Sequence, residues 1–104
     1  MNPDEISRAL AHAVTTYDRK QEAKAKANPR AYYNHYALPQ YLGRVADIVT
    51  DIRQGADHSA AVCAGFTPGP LRNACLKALG LSSSNVESYG NYKGMPVYAP
   101  VSKR

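Results

Sequence analysis

The run Ala60-Ala61-Val62-Cys63-Ala64-Gly65-Phe66-Thr67-Pro68-Gly69-Pro70-Leu71-Arg72-Asn73-Ala74-Cys75-Leu76-Lys77-Ala78-Leu79 joins two short apolar helical stretches through a corner rich in glycine and proline. Helix-turn-helix units need small residues where the helices cross, a glycine at the turn and apolar anchors under the second helix. Ala61 suits the crossing, Gly65 the turn, and Phe66 the first buried position after it. Leu71 and Ala74 anchor the second helix from beneath, which leaves Thr67, Gly69, Arg72, Asn73 and Lys77 outward. Arginine and asparagine are the side chains that contact guanine and adenine in bidentate fashion in the major groove. Two prolines in the first turn are tolerated there, because those N–H groups have no intrahelical partner, but two donors to phosphate are lost. The plainer alternative is a pair of core helices with a glycine corner.

Working outward, Asp57 reads as the N-cap of the first helix of this unit, closed by Gly65, and Thr67 as the cap of the second, with Pro68 in its first turn. Upstream, Pro39 opens a helix with Tyr41, Leu42, Val45, Ile48, Val49 and Ile52 on one face and Gly55 as its stop. Residues 30–38, with Tyr32, Tyr33 and Tyr36, predict a short helix or turn docked by its rings. At the N-terminus, Asn2, Pro3 and Glu5 form a capping-box pattern, followed by the stripe Ile6, Ala9, Leu10, Ala13, Val14 and Tyr17. Residues 18–27 keep helix propensity without the stripe and are expected to project into solvent, until Asn28-Pro29 ends the helix. Downstream of Leu81, residues 82–104 predict a β-hairpin or extended arm, with Gly90-Asn91 as the turn signal. Lys93 on such a ribbon would resemble the wing of a winged helix protein.

The expected fold is therefore mainly α: one small helical domain spanning 1–104. Residues 1–28 form an N-terminal helix with a polar extension. Residues 30–81 form a helical core that includes a helix-turn-helix-like unit at 57–80, and residues 82–104 form a hairpin or arm. The chain of 104 residues leaves no room for a separate catalytic module. Its 44% hydrophobic content is that of an ordinary globular protein.

The net charge of +5 favours an anionic partner. Residues 67–104 hold five basic side chains and one acidic, so the excess lies in the C-terminal third. No apolar run approaches the roughly 18 residues that span a bilayer. The opening Met1-Asn2-Pro3-Asp4-Glu5 puts acids where a signal peptide carries basic residues, and a cytoplasmic location is expected. Cys63 and Cys75 make no disulfide framework and read as packed thiols. His12, His35 and His58 are scattered, so no metal site, cofactor or enzyme activity is expected. Asp47 and Asp51 stand one turn apart on what should be a solvated helix face.

Three segments, Tyr33-Asn34-His35-Tyr36-Ala37-Leu38, Gly55-Ala56-Asp57 through Gly65-Phe66, and Gly94-Met95-Pro96-Val97-Tyr98, resemble a group of small, functionally uncharacterised proteins of bacterial phages and plasmids. The resemblance covers residues 33–98 and implies a setting of small regulators and small inhibitors of host defence, with no site residues to carry over.

The first expectation is thus a small basic DNA-binding regulator of transcription or of a mobile element. Double-stranded DNA would be held by Thr67, Arg72, Asn73, Lys77, Lys93, Lys103 and Arg104. The alternative is a protein-binding inhibitor or adaptor, for example an anti-CRISPR or other anti-defence protein. It would dock on a host protein complex through Tyr32, Tyr33 and Tyr36. A homodimer is left open.

Overall fold

Asn2 starts the first helix as its capping pattern predicts. In the computed structural model, which describes residues 1–81 and the backbone of 86–92 and 95–100, α1 runs Pro3–Ala27. The Asn2 side chain accepts from the Glu5 N–H at 2.8 Å, and the Glu5 carboxylate accepts from the Asn2 N–H at 3.4 Å. Two donors that the helix itself leaves unpaired are satisfied in this way. Asp4 and Glu5 in the first turn and Lys24 and Lys26 in the last both suit the helix dipole. Ile6, Leu10, Val14 and Asp18 form a buried ladder at four-residue spacing.

Residues 30–36 form turns rather than a helix. The Asn28 and Asn34 side chains accept from the N–H groups of Arg30 and Tyr36 at 3.1 and 3.0 Å, which fixes these turns locally. Helix α2 (Ala37–Arg53) begins two residues before Pro39, and the proline sits in its first turn, where the missing N–H costs little. Val45, Ile48 and Val49 are buried, but Leu42 is exposed, so the packed face is narrower than the expected stripe. Arg53 near the end of α2 reaches back to Asp4 at 3.1 Å.

Helix α3 (His58–Gly65) is capped by the Asp57 carboxylate, which accepts from the Ala60 N–H at 3.1 Å. It is short and runs through the middle: Ser59, Ala60, Ala61, Val62 and Cys63 are all buried. Such small side chains let its neighbours approach closely. Helix α4 (Pro70–Ala78) buries Arg72, Cys75 and Leu76. The core joins Ile6, Leu10 and Val14 to Val45, Ile48 and Val49, to Ala60–Cys63, and to Phe66, Cys75 and Leu76. Each buried aliphatic side chain contributes about 1.5–3 kcal/mol relative to exposure. All four helices supply such residues, so the four are held by one common core.

This is a four-helix bundle, which corrects the expected helix-turn-helix domain, and the hairpin turn expected at Gly90-Asn91 is corrected with it. Gly65 is not the corner. It is the last residue of α3 and has no positive φ. A Cβ there would lie 2.6 Å from Ile48 Cδ1, so glycine serves the close approach of α3 to α2. The corner is Gly69, at φ 153°, which replaces Thr67 as the N-cap of α4 and puts Pro70 rather than Pro68 in the first turn. The bundle itself contains no β-strand, and its core side chains, among the described residues, lie on helices or at the α3–α4 corner. Beyond it, the backbones of β1 (Val86–Tyr92) and β2 (Met95–Pro100) run antiparallel, with Gly90 and Asn91 inside β1 opposite Val97 and Pro96 rather than at a turn.

Candidate anion-binding groove

Four exposed residues of α1, His12, Thr16, Lys20 and Lys24, follow one another at four-residue spacing, which places them on one ridge of the helix. Beside them Ala13, Tyr17 and Gln21 form a half-buried inner row. Pro70, Ala74, Lys77 and Ala78 of α4 face them across a groove of about 620 Å³. Ala13, Ala74, Ala78, Pro70 and the Tyr17 ring make an apolar floor. Lys20 and Lys24 stand on one rim and Lys77 on the other. Lys20 and Lys24 are one turn apart, about 6 Å along the axis, which is within a Debye length, so their fields add. No carboxylate lines this groove among the described residues.

A second depression, of about 280 Å³, adjoins the first, because Tyr17 and Pro70 line both. Its other walls include Gln40, Tyr41, Arg44 and Thr67, again without an acidic residue. Its aromatic rings are braced edge to face: Tyr17 and Tyr41 have centroids 6.2 Å apart, and Tyr41 and Phe66 6.3 Å. Burial pushes the Tyr41 phenol pKa up. Arg44 is exposed but anchored, donating from one guanidinium nitrogen to the Gly65 carbonyl at 3.1 Å.

The residues expected to read DNA are not brought together. Arg72 is turned inward and only 6% exposed. It donates to the Phe66 carbonyl through Nε and to the Cys63 carbonyl through a terminal nitrogen, each at 2.7 Å. The cause lies at the end of α3, whose last carbonyls have no intrahelical donor and take the guanidinium instead. Asn73 and Thr67 are exposed, Thr67 in the second depression and Asn73 in neither. Among the described members of the expected set, Lys77 alone reaches the groove rim. Lys93, Lys103 and Arg104 lie outside the described residues.

The tyrosine cluster divides. Tyr32 and Tyr36 are 84% and 73% exposed, so most of the docking expected of these rings does not occur. Tyr33 does dock: its hydroxyl donates to Asp18 at 2.6 Å, and its ring meets His35 edge-on at 4.8 Å. The hydrogen bond to the Asp18 carboxylate, aided by burial, pushes the Tyr33 phenol up to about 12. Asp18 itself is buried, so the point where the apolar stripe stops is still packed. Asp51 is buried too, contrary to the solvated face expected for it. Both cysteines are buried, and burial raises the Cys75 thiol to about 12.

Among the described residues no three His, Cys, Asp or Glu side chains are grouped to hold a metal ion. No helix there is long and apolar enough to cross a membrane. No family model matches the chain, and no curated protein or solved structure matches it.

Sequence reasoning missed Lys20, Lys24, His12 and Arg44 as residues lining these two depressions. A signal for the first three existed in the four-residue spacing of His12, Thr16, Lys20 and Lys24. What the sequence does not show is that α4 lies alongside that ridge.

Proposed function

We propose that the protein is a small DNA-binding protein whose α1–α4 groove holds the phosphate backbone. The observation that carries this reading is a groove with three exposed lysines on its rims and, among the described residues, no carboxylate in its lining. Phosphate contacts position a protein on DNA without reporting sequence, and Arg72 is engaged inside the bundle. Binding is therefore electrostatic and weakly sequence-dependent. Fluorescence anisotropy on labelled DNA of mixed sequence, at stepped salt concentrations, tests this. Three phosphate contacts give a log–log slope of about −2 to −3. Binding that ignores salt, or no binding at low salt, rules the reading out.

The exposed rings of Tyr32 and Tyr36 favour a second reading, a protein-docking surface at the loop before α2. Under it, Tyr32→Ala and Tyr36→Ala leave the fold intact and abolish capture of a protein partner, while groove lysines matter little. Capture that survives both truncations removes this alternative.

A further inference from the structure

We infer that the DNA taken by the groove is single-stranded, an inference that rests on the DNA-binding reading above. A duplex is read by an element that protrudes, since its major groove, about 12 Å wide, admits one helix. Here the geometry is reversed: the cations border a depression between two packed helices. The groove between α1 and α4 is a depression of about 620 Å³, which an unpaired base can enter and a base stacked inside a duplex cannot.

The floor suits such a strand. Ala13, Ala74 and Ala78 are small, and Tyr17 and Pro70 carry the apolar surface onward into the second depression. Unpaired bases have apolar faces that need cover from water, and a tyrosine at the junction offers a ring to lie against. Phosphates of the same strand would meet Lys20 and Lys24 on the α1 rim, Lys77 on the α4 rim and Arg44 at the second depression. A duplex hides its base faces in its own stack and gains nothing from an apolar floor. Cations, apolar floor and aromatic junction together form the combination that single-strand binding uses.

The test is a direct comparison on the full chain at low salt, with a single strand of about 15 nucleotides of mixed sequence and the matching duplex as probes. The inference expects the single strand to bind at least about tenfold more tightly. Ala74→Met, which raises the floor without changing charge, should weaken the single strand by about tenfold and the duplex little. Its fold is checked by thermal melting. Should that variant unfold, Gln21→Ala and Lys77→Ala, at half-buried and exposed positions, serve instead. Each should weaken the single strand more than the duplex. Equal or tighter binding of the duplex overturns the single-strand inference and leaves the DNA-binding reading standing. Failure of both probes to bind overturns both.

Discussion

Arg72 closes the α3–α4 corner from the inside, its Nε donating to the Phe66 carbonyl at 2.7 Å. A second nitrogen reaches the Cys63 carbonyl at the same distance, so one guanidinium caps the end of one helix from the first turn of the next. Hydrogen bonds from a charged donor contribute about 1.5–3 kcal/mol each, and stranded buried carbonyls add a penalty. Arg72→Ala should therefore destabilise the protein by on the order of 3 kcal/mol, read from the urea midpoint. It acts as a stability variant first. Stability within a few tenths of a kcal/mol of the parent would mean the corner does not depend on it.

Gly65 and Ile48 make a second test. Gly65→Ala puts a methyl group 2.6 Å from Ile48 Cδ1 and 2.7 Å from Ile48 Cγ1, and Ile48 is itself only 1% exposed. Overpacking of this kind costs about 1–3 kcal/mol. In an Ile48→Ala background both clashing atoms are gone, and Gly65→Ala should become neutral or stabilising. A double-mutant cycle measures that coupling. The same cost in both backgrounds would show that backbone conformation, not contact with Ile48, requires the glycine.

The Tyr33–Asp18 bond predicts a response to alkali. The phenol is held at about 12 against an ordinary 10.0, so the folded form keeps its proton more tightly than the unfolded chain. This contribution is whole below pH 10 and is lost as pH rises toward about 12. Cys75, raised from 9.0 to about 12, adds a decline of the same sign. Comparing the parent with Tyr33→Phe isolates the phenol: the variant should be less stable at neutral pH and lose less stability above pH 10. Parallel curves for the two proteins would contradict the assignment.

The buried cysteines predict slow chemistry. Cys63 and Cys75 are both 0% exposed, and the Cys75 thiol, raised to about 12, offers almost no thiolate at neutral pH. An aromatic disulfide reagent should modify neither in the folded protein and both in denaturant. Fast labelling of one thiol under native conditions would place it at an accessible surface.

Which parts of the structure were legible follows from the range of the interactions. The capping box of Asn2 and Glu5 and the Asp57 cap are local, and sequence spacing carried them. The helical character of 58–65 was legible as well, but its place at the centre of the bundle was not, because burial on all sides leaves no amphipathic stripe to read. Arg72 was misjudged because an arginine next to an apolar anchor normally faces water. Its direction is set by unpaired carbonyls at the end of another helix, which spacing does not display. Lys77 was found and Lys20 and Lys24 were not, since their joint surface exists only once α1 and α4 lie side by side.

Charge reversal inside and outside the groove tests the central claim most directly. Lys20→Glu with Lys77→Glu reverses one charge on each rim. Arg8→Glu with Lys26→Glu makes the same change in net charge at exposed residues of α1 that line neither depression. DNA affinity of both pairs is to be measured across a salt series, after each is shown to melt like the parent. The groove pair should lose binding at physiological salt and lower the magnitude of the log–log slope by about two, while the control pair keeps a slope near the parent's. Equal losses in the two pairs would mean that only net charge attracts DNA, and the groove would not be the site.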